Sequence, residues 1–99
     1  MATSSTRPIN QLLDILGKKW VLRILWELHT EPCTFRELQG RCGDISPTMI
    51  NNRVKDLCAG NLVEKTPDQG YRLSTFGKEL VDVFMPLNDF ATRWSDSNR

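Results

Sequence analysis

The residues best suited to chemistry in this chain are Thr48, Asn51, Asn52 and Lys55, which fall in the segment ISPTMINNRVKDL from Ile45 to Leu57. None of them forms a nucleophile–base pair with a neighbour. What they offer is hydrogen bonding and one point charge. An Asn amide pairs bidentately with adenine N6 and N7, and a Thr methyl lies well against a thymine methyl. A Lys at the end of such a set suits a phosphate. The chemistry implied is recognition of base edges and backbone, not bond making. An enzyme is not expected, because the single histidine, His29, has no Gly-rich phosphate loop or nucleophile elbow to work with. No cofactor is implied.

Such residues need a helix to present them. Ser46 is a strong N-cap and Pro47 a strong first helical residue. Ile45, just before the cap, is placed to staple against Ile50 and fix the entry angle. The helix is predicted to reach about Ala59, with Gly60 as a left-handed stop. On its wheel Ile50, Val54, Leu57 and Cys58 gather on a packing side. Thr48, Asn52 and Lys55 face the other way, with Asn51 and Asp56 at the margins. Thr48, Asn51 and Asn52 are the candidates for base readout, although an ordinary solvated face has the same composition.

Upstream, Thr34-x-x-Glu37 is a capping box launching a short helix through Leu38 to about Arg41, and Gly43-Asp44 turns the chain. Downstream, Leu62 to Thr66 and Tyr71 to Ser74 are short strands around Pro67-Asp68-Gln69-Gly70. Two capped helices, a tight turn and a hairpin make a helix-turn-helix with a wing, a layout that places one helix in a DNA major groove. Candidates for phosphate and wing contacts are Arg36, Ser46 with the free N–H groups behind it, Lys55, Lys65, Gln69 and Arg72. Each reads equally as a surface polar group, and Asp68 at the tip argues against deep insertion of the wing.

The flanks supply the scaffold. Ile9 to Leu16 reads as a first helix stopped at Gly17, and Lys18 to His29 as a second. The second has a core stripe of Val21, Ile24, Leu25 and Leu28, and a further apolar side at Leu22 and Trp26. That second side wants either the C-terminal helix or another subunit. Glu31-Pro32 breaks the helix, and Cys33-Thr34 forms a minimal strand. Thr75 caps the last helix, whose Phe76, Leu80, Val83, Leu87, Phe90 and Trp94 follow a heptad-type seam. Pro86 inside that seam predicts a kink or a break. The rest of so small a domain cannot cover the seam, so Leu12, Leu22, Trp26, Phe84, Leu87, Phe90 and Trp94 are assigned to dimerisation. The fold expected is mostly α with a small β-hairpin wing (α+β), a winged helix-turn-helix. The domain spans residues 9–95 and carries N- and C-terminal dimerisation helices, between flexible segments 1–8 and 96–99.

Composition adds limits. The 99-residue chain has 13 basic and 12 acidic residues and a formal net charge of +1, weaker than the balance that advertises nucleic-acid binding by itself. The charge is unevenly spread: Lys18 to Lys65 holds 8 Lys/Arg against 6 Asp/Glu, and Leu73 onward holds 3 against 4. The N-terminal MATSSTRP has no apolar h-region and no run approaches a membrane span, so a cytoplasmic protein without membrane contact is expected. Cys33, Cys42 and Cys58 are an odd set without close-pair spacing, which speaks against a disulfide framework and against structural zinc. Cys58 falls on the packing face, whereas Cys33 and Cys42 flank one short helix and are expected to be more accessible. His29 at a helix end reads as a dipole partner.

The chain resembles the HxlR-type winged-helix transcriptional regulators, relatives of the MarR group. The resemblance rests on GKKWVLRILWEL at Gly17 to Leu28, TFREL at Thr34 to Leu38, and ISPTMINNRVKDL at Ile45 to Leu57. It continues through GNLVEK at Gly60 to Lys65 and YRLSTFGKEL at Tyr71 to Leu80. It implies a sequence-specific DNA-binding regulator, a homodimer on a pseudo-palindromic operator with the helix at about 46–59 in the major groove. Three features depart from the pattern. Where such proteins often carry a redox- or electrophile-sensing cysteine before the first helix, this chain has Arg7-Pro8. The second glycine of Gly-Gly-Lys-Trp is Lys18, and the wing is short. The two-sided apolar second helix and the three tryptophans suit a pocket for an unknown small-molecule effector, and core packing explains them equally well. The alternative is a winged-helix protein-interaction or assembly module that does not read DNA, which the near-neutral charge favours.

Overall fold

The computed structural model describes residues 7–98. Of the two segments expected to be flexible, residues 1–6 and Arg99 lie outside the described residues. Helix α1 (Pro8–Leu16) starts on its proline. Helix α2 (Val21–Leu28) starts three residues later than the apolar period predicts, because Trp20 holds φ 77° at the N-cap and residues 17–20 form a turn. Nothing in Lys18-Lys19-Trp20 forbids a helix locally. The indole instead packs on the core and carries the backbone into the left-handed region.

Strand β1 (Cys33–Thr34) leads into α3 (Phe35–Arg41) through the predicted capping box. The Glu37 N–H donates to Thr34 Oγ1 at 3.1 Å and the Thr34 N–H donates to Glu37 Oε1 at 2.8 Å. Those bonds from Thr34 hold the Glu37 carboxyl below its ordinary pKa. Gly43 and Asp44 turn the chain with φ 83° and 59°. Helix α4 (Pro47–Ala59) begins on the Ser46 cap, whose Oγ accepts the Met49 N–H at 3.1 Å.

The stop of α4 differs from expectation. Gly60 has φ −84°, and the left-handed residue is Asn61 at φ 60°. Glycine at position 60 serves space, not conformation: an added Cβ would stand 3.0 Å from Ile15 Cδ1 of α1. Strands β2 (Val63–Lys65) and β3 (Gly70–Leu73) form the hairpin, and β1 joins them in an antiparallel sheet of order β1-β3-β2. The register pairs Cys33 with Tyr71 and Val63 with Leu73.

Helix α5 (Thr75–Phe84) is capped by Ser74, not by Thr75. Ser74 is buried and its hydroxyl is fully used: it donates to the Asn61 carbonyl at 2.6 Å and accepts the Gly77 N–H at 2.9 Å. Those two hydrogen bonds tie α5 to the segment just after α4, which Thr75 one residue on does not do. Pro86 produces a full break, with α6 (Leu87–Ser97) as a separate helix that extends two residues into the expected tail. The core is built from α2, α3, α4, the strands and Val81 of α5, centred on Ile24, Leu25, Leu38, Ile50 and Leu57. Neither α1 nor α6 contributes a fully buried residue. Among the described residues no helix is long and apolar enough to cross a membrane.

Candidate nucleic-acid interface

Helix α4 separates its two faces as the wheel predicts. Ile50, Val54 and Leu57 are buried and Cys58 is half-buried against the core. Thr48, Asn51, Asn52 and Lys55 are exposed on the other side. Apolar burial holds the helix, which leaves these four side chains free to meet a ligand. At its N-terminus the predicted supply of free N–H groups is smaller than expected. Pro47 has none, Met49 donates to Ser46 Oγ, and Ile50 donates to the Ser46 carbonyl at 3.1 Å. Thr48 alone in that first turn lacks an intrachain acceptor among the described residues.

Arg36 lies exposed near the start of α3 with no ion-pair partner among the described residues, and the same holds for Lys55 and Lys65. Arg72 is different: its Nε donates to Glu64 Oε1 across the hairpin at 2.7 Å. Gln69 sits at the wing tip with φ 67°, and beside it Asp68 accepts from the Thr66 hydroxyl, which holds the Asp68 carboxyl below its ordinary pKa. The wing therefore ends in a structured acid.

The sequence reading missed a cluster at the margin of the exposed side of α4. Asp56 Oδ2 meets Lys18 Nζ at 3.2 Å and Arg53 Nη1 at 3.0 Å, and Arg53 Nε donates to the Lys19 carbonyl at 3.0 Å. Arg53 and Asp56 at i, i+3 signal a helix-surface pair, but their link to the α1–α2 turn is non-local.

The cysteines reverse expectation. Cys33 and Cys42 are each only 2% exposed, while Cys58 is the more accessible of the three. Burial pushes all three thiols above their ordinary value, which works against thiolate chemistry. Among the described residues no group of three or more His, Cys, Asp or Glu is arranged to hold a metal ion. His29 caps α2, where its Nδ1–H donates to the Trp26 carbonyl.

On the far side of the domain, Trp26 stacks on Phe84 with ring centroids 6.1 Å apart. Leu22, Trp26, Phe84 and Leu87 line an open groove of about 470 Å³ there. Leu87, Phe90 and Trp94 continue the apolar stripe along α6 at 50%, 52% and 60% exposure. Leu12 lines a second groove with Phe76, Leu80 and Val83.

The HxlR-like helix-turn-helix family model matches residues 15–99, from the end of α1 through α6. The chain belongs to the HxlR-like family. It is therefore a DNA-binding transcriptional regulator of winged helix-turn-helix type. The uncharacterized HTH-type transcriptional regulator YvaP of Bacillus subtilis is 29% identical over 90 residues, covering 85% of this chain and 83% of YvaP. Among solved structures, a possible HxlR family transcriptional factor from Thermoplasma volcanium superposes with a TM-score of 0.79 at 26% identity, covering 91% of this chain and 86% of that one. The quinone-bound YodB of B. subtilis gives 0.78 at 28%, covering 89% and 99%. In this HxlR-type chain the match takes in the α4 face, the wing and the α5–α6 stripe together.

Proposed function

We propose that this HxlR-type regulator is a homodimer that reads a pseudo-palindromic operator, with α4 of each subunit in the major groove. The observation that carries the reading is the division of α4 into a buried apolar side and an exposed side of Thr48, Asn51, Asn52 and Lys55. In this reading Thr48, Asn51 and Asn52 touch base edges. Arg36, Ser46, Lys55, Lys65, Gln69 and Arg72 touch backbone, with Arg72 first giving up its exposed pair to Glu64 at little cost.

The subunits pair through Leu12, Leu22, Trp26, Phe84, Leu87, Phe90 and Trp94. The apolar stripe runs from the α2–α5 groove along the whole of α6, longer than a small ligand covers, and α6 buries none of its residues within the chain. A helix face of that length finds its cover in another helix. Half-sites are then spaced by about one DNA turn, roughly 34–36 Å, or a multiple of it.

The near-neutral charge of +1 favours the other reading, an interaction module whose α4 face docks on protein. A gel shift with the protein's own upstream DNA and with random duplex, each at two salt concentrations, separates the two. Salt-sensitive binding with preference for the upstream DNA is the expected result. Absence of binding to both duplexes refutes the operator reading.

A further inference from the structure

Helix α4 meets the end of α1 at one place and the turn that follows α1 at another. At the end of α4, the missing side chain of Gly60 admits Ile15 of α1, whose Cδ1 an added Cβ would approach to 3.0 Å. One turn earlier, Asp56 holds both Lys18 Nζ, at 3.2 Å, and Arg53 Nη1, at 3.0 Å. Arg53 in turn fastens the Lys19 carbonyl at 3.0 Å. The held segment is the turn between α1 and α2, which ends in Trp20 at φ 77°. A tryptophan adopts that conformation when its surroundings impose it. Within the turn the Lys19 ammonium lies 6.0 Å over the ring of its neighbour Trp20.

We propose that Lys18, Asp56 and Arg53 are positioning residues that fix α4 against the turn joining α1 to α2, and so set which half-site spacing the dimer accepts. This rests on the reading that α4 enters the groove and that α1 belongs to the dimer contact. If both hold, each reading helix is carried at a fixed offset from the pairing helix. Adding one base pair between half-sites turns the second by about a tenth of a helical turn. A rigid joint refuses that change, whereas a loose one follows it. Arg53 and Asp56 are suited to rigidity because their side chains are only 21% and 29% exposed, so solvent competes less for them than for a surface pair.

The test uses duplexes selected from random DNA by the wild-type protein, with the centre lengthened or shortened by one and two base pairs. Wild type is expected to lose about tenfold or more in affinity on the altered spacings. Asp56→Asn is expected to narrow that ratio to about threefold while remaining a folded dimer by thermal unfolding and sedimentation. Asp56→Glu is expected to restore it, and Lys18→Met, at the most exposed member of the cluster, provides a second route if Asp56→Asn does not fold. Hydrogen exchange without DNA is expected to rise in residues 17–20 of the variants and not across the core. A wild-type spacing ratio in Asp56→Asn and Lys18→Met, or unchanged exchange in that turn, overturns the proposal. Failure of the wild type to select any duplex refutes the DNA reading itself, and the exchange measurement still tests the joint between α4 and that turn.

Discussion

The same substitution at two helical glycines should move stability in opposite directions. An alanine Cβ at Gly77 in α5 would stand 2.0 Å from the Leu62 carbonyl oxygen, 3.1 Å from its carbon and 3.3 Å from Leu73 Cβ. A close carbon–oxygen contact is about 3.3 Å, so the backbone must open by roughly 1.3 Å. Leu62 cannot yield freely: its side chain is buried, and its carbonyl accepts the Ser74 N–H at 3.0 Å. Overpacking costs about 1–3 kcal/mol, and weakening that buried bond adds about 1 kcal/mol. Better helix propensity returns at most about 1 kcal/mol. The clash wins, and Gly77→Ala is expected to lose about 2–3 kcal/mol, a fall in Tm of about 10–20 °C for a domain of this size. Gly40 in α3 has nothing within 4 Å of an added Cβ. There the gain in propensity stands alone, and Gly40→Ala should raise Tm by a few degrees, about 0.5–1 kcal/mol. Thermal unfolding by circular dichroism at fixed protein concentration reads both. A Gly77→Ala Tm within about 4 °C of wild type refutes the close packing of α5 on the base of the wing.

Native thiol labelling should modify Cys58 well before Cys33 or Cys42. Their raised folded-state pKa values stabilise the fold below the ordinary thiol value of 9.0, so stability should fall as the pH rises past it; early labelling of Cys33 would contradict the burial. Trp94→Ala should weaken self-association at least about tenfold by sedimentation while leaving circular dichroism unchanged, and a wild-type monomer would remove the symmetric operator. The four cations per subunit assigned to backbone, Arg36, Lys55, Lys65 and Arg72, give a dimer a slope of log K against log salt of about −7. Lys55→Ala should reduce the slope by about 1 for each substituted lysine, and an unchanged slope takes Lys55 off the phosphate list.

What the sequence made legible was what short-range chemistry dictates. The Thr34–Glu37 capping box, the Ser46-Pro47 start and the break at Pro86 depend on residues within a turn of one another, and all are present. The α4 wheel was readable for the same reason. Errors came where a distant partner decides. Thr75 and Ser74 are equal as caps until the Asn61 carbonyl selects Ser74. Gly60 looks like a left-handed stop until Ile15 is seen to need its space. Cys33 and Cys42 read as accessible because they flank a polar helix, yet β1 pairs with β3 and α3 packs on α2, which closes over both. The Asp56 cluster was out of reach because Lys18 and Lys19 lie far from it in sequence.

The near-neutral charge, the strongest argument against DNA, loses force once the cations are placed. Arg23 is held by Glu27 and the Arg41 carbonyl, Arg41 by Glu31, and Lys18 and Arg53 by Asp56. Four cations and three acids are thus spent on one another, so the net charge of the chain does not report the charge of the exposed side of α4. On that face Thr48, Asn51, Asn52 and Lys55 are exposed, and Asp56 at its margin is already committed to two cations. A phosphate approaching α4 therefore meets an uncompensated Lys55 and a screened acid. Modest affinity for arbitrary DNA follows from so few free cations. In the proposed operator reading, discrimination then falls to the amides and the threonine, which is where a reader with little electrostatic grip has to find it.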